Sequence, residues 1–280
     1  MRCTLISCIR WGNCLLLALV MQQLSGQTVH IGHCLADCPA GAPAANDIVV
    51  RHLFAASINY QNGLADWVAY RVLSDTVGVA SLLPRAWLAD ELLSQQLPVA
   101  IDEAPRFVQP DISNLQDRDY RTNELIVNPQ DRGRLVPMSS FAGTPFWDDL
   151  NYLSNMAPIP VALRLGPWSR LDQAVNELAD RTGAVFVVSG PLYGSVVGTD
   201  APVDIANSPV AFFKLVATNL EHAAFVFPAA SAQHSGFCDY RTSLEQLQKI
   251  SSLDLLPDLQ QASNDDLYRM LGCSSNQTSE

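Results

Sequence analysis

Residues 167–181 (PWSRLDQAVNELADR) restrict the fold more than any other segment. Trp168, Leu171, Val175 and Leu178 recur at helical spacing and make one apolar face. Pro167 suits the first position of a helix, and Gly183 suits its stop. An amphipathic helix must bury its face on a second layer, and strand-like runs on both sides supply one. Before it come 48–53 (IVVRHL), 56–60 (ASINY) and 67–73 (WVAYRVL). After it come 184–189 (AVFVVS) with a Gly190–Pro191 turn, 211–218 (AFFKLVAT) and 224–228 (AFVFP). Strands first and last, with one strong helix between them, predict an α+β domain. Its central antiparallel sheet should carry helices on its faces, unlike alternating βαβ units. Residues 82–130 are expected to be mostly loop with short helical pieces. Thr242 and Glu245 form a capping box for a helix over 243–251, and 265–271 suit a short final helix.

The ends of the chain carry a different signal. Arg2 and Arg10, the apolar run 14–21 (CLLLALVM), and Ser25 and Gly26 match a signal peptide over residues 1–26. The alternative is an uncleaved anchor. No membrane span is expected after it, so the mature chain should be secreted or periplasmic. Three of the seven cysteines lie in this leader, leaving Cys34, Cys38, Cys238 and Cys273. Four cysteines in an oxidising compartment allow three pairings; the simplest is local, Cys34 with Cys38 and Cys238 with Cys273. Residues 27–46 then read as a stapled N-terminal loop, 47–273 as the folded domain and 274–280 as a flexible tail.

Charge bears on the partner. Loss of residues 1–26 leaves 15 basic against 28 acidic residues, a net charge of −13. Nucleic-acid binders normally carry a basic face. Nine of the 15 basic residues nevertheless fall between Arg85 and Arg181. An arginine-lined cleft on an acidic body has this pattern, and so does a scatter of surface ion pairs.

Three motifs follow one another in that stretch. Asp131-Arg132-Gly133-Arg134-Leu135-Val136-Pro137 resembles the DRGH-x-x-P signature of the DNA/RNA non-specific endonucleases. Residues 151–158 (NYLSNMAP) are similar to that family's N-x-x-S-N-x-x-P strand. Residues 166–172 (GPWSRLD) resemble its G-x-W-x-x-L-E helix start. Weaker echoes are 67–71 (WVAYR), 84–87 (PRAW), 189–191 (SGP) and 254–258 (DLLPD); the cysteine layout is similar too. The resemblance covers residues 34–273 and implies a ββα-metal nuclease fold with its active site within 131–181.

The family's chemistry is phosphodiester hydrolysis. A histidine acts as general base, an asparagine and waters hold Mg²⁺, and an arginine stabilises charge. Carried over, the histidine position is Arg134 and the metal-ligand asparagine is Arg164. The water-ordering glutamate is Asp172, Asn151 and Asn155 match active-site asparagines, and Arg85 and Arg132 match family arginines. A guanidinium stays protonated near neutral pH and has no lone pair for a metal. Loss of a general base costs about 10²–10⁴-fold in rate. The expectation is therefore a protein that binds the phosphate backbone of DNA or RNA through Arg85, Arg132, Arg134 and Arg164. It should show no sequence specificity, and catalysis should be lost or strongly reduced. No cofactor is expected, and Mg²⁺ is needed only if the site is active. The competing readings are an active endonuclease with a rearranged site and a structural or protein-binding module. In a decaying site, Arg134 and Arg164 would instead be ordinary ion-pair partners, with Asp131, Asp149 or Asp172, and Asn151 and Asn155 would satisfy turn or strand-end backbone groups. Trp87, Trp147 and Trp168 are expected in the core, and His234 is the least implausible substitute base. The sequence does not define the oligomeric state.

Overall fold

Strands rich in β-branched and aromatic residues on both faces demand a sheet covered on both sides, and the chain builds one. The computed structural model describes residues 30–81, 83–98, 132–194, 208–257 and 266–274. The expected leader, most of 82–130 and most of the tail lie outside them. Seven strands form one antiparallel sheet. They are β1 (Asp47–Val50), β2 (Ala55–Asn59), β3 (Leu64–Leu73), β6 (Ala184–Leu192), β7 (Ala211–Ala217), β8 (His222–Pro228) and β9 (Arg241–Thr242), in that spatial order. A separate two-stranded ribbon pairs β4 (Gly133–Arg134) with β5 (Met156–Ala157).

Period-two alternation sends neighbours to opposite faces. Phe212 joins one buried cluster with Ala56, Tyr70, Val187 and Phe225; Phe213 joins the other with Ala55, Trp67, Val188 and Leu215. The first face is covered by α1 (Ser169–Thr182), which lays Leu171, Val175 and Leu178 on it, and by the β4–β5 region through Leu135, Met156 and Ile159. The second is covered by the N-terminal loop around Cys34, by α2 (Leu244–Ser251) and by Leu253, Leu255 and Leu256. α3 (Asp266–Met270) sets Leu267 in the first cluster.

The structure shifts several sequence expectations. The helix begins at Ser169, because residues 164–168 form a kinked turn in which Gly166 has non-helical angles (φ −115°, ψ −125°). No turn forms at Gly190 and Pro191; β6 continues to Leu192. Beyond Ser189 it pairs with β7 but no longer with β3, so a proline costs no hydrogen bond to β3 there. The cap of α2 is Ser243 rather than Thr242: its side chain accepts from the Gln246 amide at 3.1 Å. His52 lies just past β1 rather than within a strand.

Cys34 bonds Cys38 across a sequence separation of 4, and Cys238 bonds Cys273 across 35. The wide pair ties the chain after α3 to the turn beside β9. Loop-closure entropy gives it roughly 4 kcal/mol, against roughly 2 kcal/mol for the tight pair. Urea unfolding of a C238S/C273S variant should therefore show about twice the stability loss of C34S/C38S. Equal losses would remove the loop-entropy account.

Candidate functional site

Side-chain amides hold the floor of the motif region. The Asn155 carbonyl oxygen accepts from the Val136 amide at 2.8 Å. Its NH₂ donates to the carbonyls of Val136 (3.2 Å) and Leu150 (3.1 Å), and its backbone carbonyl accepts from the Leu135 amide at 2.9 Å. Asn155 thus locks β4 to the 3₁₀ turn Trp147–Asn151. Asn151, also fully buried, donates to the Pro84 carbonyl (3.2 Å) and to Asp148 (2.9 Å) and accepts from the Ala86 amide (3.2 Å). Both asparagines satisfy backbone groups, and both do so inside the motif region. Ser189 of β6 donates to the Leu135 carbonyl at 3.1 Å and fixes the ribbon to the sheet.

Arg134 lies within this frame, 7% exposed. Its Nε donates to the Leu150 carbonyl at 3.2 Å, and one terminal nitrogen donates to Asn151 Oδ1 at 2.8 Å and to the Ala86 carbonyl at 3.3 Å. One guanidinium therefore spans the 84–88 segment and the 3₁₀ turn. The backbone on both sides of Arg85 is held, Pro84 by Asn151 and Ala86 by Asn151 and Arg134. Leu88 completes the clamp with bonds to Asn151 and Leu153, each 2.9 Å.

Arg132 precedes β4, its guanidinium 5.9 Å from the Trp87 ring centroid. Its Nε is buried and makes no hydrogen bond among the described residues, and burial lowers its pKa. Of the three tryptophans assigned to the core, Trp168 is buried, while Trp87 and Trp147 are half-buried against the core. Gly133 keeps the ribbon close: a Cβ there would stand 2.6 Å from Cβ of Ile159. Arg164, 9% exposed, lies on the turn leading into α1. At Gly166 a Cβ would stand 2.6 Å from the Gln233 carbonyl. The Gln233 carbonyl also accepts from Arg170 at 2.8 Å. That docking brings the exposed His234 loop against the 166–170 segment.

Two of the acidic residues considered from sequence contact other basic groups. Asp149 accepts from His52 at 2.9 Å and lies 3.9 Å from Arg51. His52 is also stacked on the exposed Phe146, with ring centroids 4.2 Å apart. Asp172 takes the ammonium of Lys214. Asp131 lies outside the described residues. Sequence reasoning gave Lys214 no role. The signal was present: a lysine amid the apolar run AFFKLVAT points into the core and requires a counter-ion. A second network also went unread. Arg51 pairs with Asp90 at 2.5 Å and stacks on Tyr152 at 3.4 Å, while Ser154 donates to Asp90.

The residues at the metal position do not fit a divalent cation. Arg164 is itself a cation, and the side-chain oxygens of Asn151 and Asn155 already accept hydrogen bonds. Among the described residues no three His, Cys, Asp or Glu side chains converge.

Comparison with known proteins adds to this geometry. Residues 38–262 match the family model of the DNA/RNA non-specific endonucleases. A nuclease of Serratia marcescens is 31% identical over 272 residues, covering 90% of this chain and 94% of that one. Nuclease C1 of Cunninghamella echinulata var. echinulata is 21% identical, covering 82% of this chain and 90% of the relative. Among solved structures, EndoG in its complex with EndoGI superposes with a TM-score of 0.54 at 18% identity. That match covers 75% of this chain and 86% of the other.

Two variants test the frame. Arg134→Lys cannot bridge three acceptors, so it should lose about 2–4 kcal/mol of stability and speed hydrogen exchange at Ala86 and Leu88. Unchanged exchange would show that the guanidinium ties nothing. Asp172→Asn strands a buried ammonium and should cost about 3–5 kcal/mol in thermal or urea unfolding. A loss under about 1 kcal/mol would mean the pair is solvated.

Proposed function

Because the chain belongs to the DNA/RNA non-specific endonuclease family, we propose that it is a non-hydrolysing member that binds nucleic-acid phosphates independently of metal. One observation carries the reading: the general-base position holds Arg134, buried and donating to Leu150, Asn151 and Ala86. A guanidinium is a cation near neutral pH with no lone pair to offer, so it takes no proton from water. The misfit of Arg164 and the asparagines to a cation supports the same conclusion.

Binding falls chiefly to Arg85, Arg132 and Arg164. Arg85 lies between two clamped backbone positions, and Arg132 presents a half-buried guanidinium beside Trp87. Arg134 contributes positive potential and holds the Arg85 loop in place. Phosphate contacts of this kind read no sequence. The protein is exported: the leader pattern over 1–26 and the disulfides of 27–46 and 47–273 suit an oxidising compartment. Among the described residues no helix is long and apolar enough to cross a membrane.

Two assays test this. Supercoiled plasmid incubated with Mg²⁺ or Mn²⁺ should stay intact. Fluorescence anisotropy with single- and double-stranded DNA should give affinities that EDTA leaves unchanged and that fall with salt. The slope should correspond to about three phosphate contacts, and Arg85→Ala or Arg132→Ala should reduce it by about one. Metal-dependent nicking would make the chain an active nuclease. Absence of salt-sensitive binding would leave a scaffold that binds something other than nucleic acid, as the acidic net charge of −11 would suit.

A further inference from the structure

We infer that Asp172 is a third position at which the site has left metal chemistry, and that Lys214 is the positioning residue that claims and neutralises its carboxylate. The inference rests on the non-hydrolytic reading above and concerns residues that the reading itself does not use.

A carboxylate that orders metal-bound water must present oxygen lone pairs to an open site and add negative charge to it. Asp172 gives one of its oxygens to an ammonium, which offsets its charge. Its side chain is 7% exposed, and Oδ1 receives the Lys214 ammonium. Lys214 stands on β7 with no exposed surface, paired across the sheet with Ser189 and Phe225. Its nitrogen lies 3.9 Å from the Trp168 ring centroid. Trp168 and Asp172 are one helical turn apart, so the start of α1 grips the ammonium from two sides. Burial lowers the lysine pKa and Asp172 opposes that shift. The nearby Tyr70 hydroxyl, fully buried, is pushed well above its usual range by burial and then by the Asp172 charge. A carboxylate so placed serves the core.

Side-chain length and charge explain why restoring two residues is insufficient. A glutamate at 172 would carry its carboxylate one carbon–carbon bond further, roughly 1.5 Å. With Arg134→His and Arg164→Asn, the Asp172–Lys214 pair remains neutral overall. Asp172→Glu would change the carboxylate's reach past the ammonium, and Lys214→Gln would remove the charge that offsets it.

Terbium, a hard oxygen-seeking cation detected by tryptophan-sensitised emission, provides a readout independent of hydrolysis. R134H/R164N should show no saturable emission. Adding Asp172→Glu, or separately Lys214→Gln, should create saturable uptake at least about tenfold tighter. Metal-free thermal melts establish that each variant is folded, and either third change suffices if the other fails to fold. The inference is overturned if the double variant takes up terbium as tightly as a triple one, or if folded triple variants take up none. Failure of the non-hydrolytic reading would instead show as plasmid nicking by the unaltered protein.

Discussion

A buried guanidinium must find acceptors, and much of the site is arranged around that requirement. Leaving Arg134 unsatisfied in a region of low dielectric would cost several kcal/mol. The Leu150 carbonyl, Asn151 Oδ1 and the Ala86 carbonyl meet the need from two segments. The satisfied cation then acts as a bolt: it fixes the 3₁₀ turn to the Arg85 loop, which has little regular structure of its own. Arg51 does the same on the adjoining side, where Asp90 and Ser154 join residues 90 and 154 to the end of β1. Much of the loop structure is therefore held by charge-assisted hydrogen bonds to two arginines, and little of it by helices.

The same logic accounts for the charge paradox of the sequence. Arginines cluster between 85 and 181 in a chain of net charge −11. Several of them are engaged in tying chain segments together. Arg170 donates to the carbonyls of Gln233 and Ser235, and Arg181 to that of Met270 at 2.5 Å; both anchor α1 to later parts of the chain. Arg134 is a bolt as well. A clustering of arginines in sequence therefore reflects, at least in part, their use as ties between chain segments.

Legibility followed the range of the interactions. The β-runs, α1 and its stop at Gly183 were readable because periodicity and turn chemistry are local. The local pairing of the cysteines is the one observed. The start of α1 was misplaced because the kink at Gly166 depends on Gln233, far along the chain. The Gly190–Pro191 turn was misread because strand continuation depends on which neighbour has ended, a fact of sheet topology. The fate of Asp172 was the least legible. Sequence offered only Arg164 as its partner, and Lys214, which meets its carboxylate, comes from a strand that the fold brings beneath the helix. Motif positions named the site residues; only packing assigned them partners.

That division explains how a chain can keep a family's signature although individual positions within it differ. The motifs that carry the likeness are largely demands of the backbone. Gly133 is required by the approach of Ile159, and Gly166 by the approach of Gln233. Asn155 spends its amide on Val136 and Leu150, and Asn151 spends part of its own on Pro84 and Ala86. Tyr70 and Trp168 fill the core against Phe141, Phe212 and Phe227. Each of these needs persists whether the next residue is a histidine or an arginine. The position after Gly133 is different, since the frame asks of it only a donor for Leu150 and Asn151. An arginine meets that demand with donors to spare, and the acceptors around it offset the cost of burying its charge.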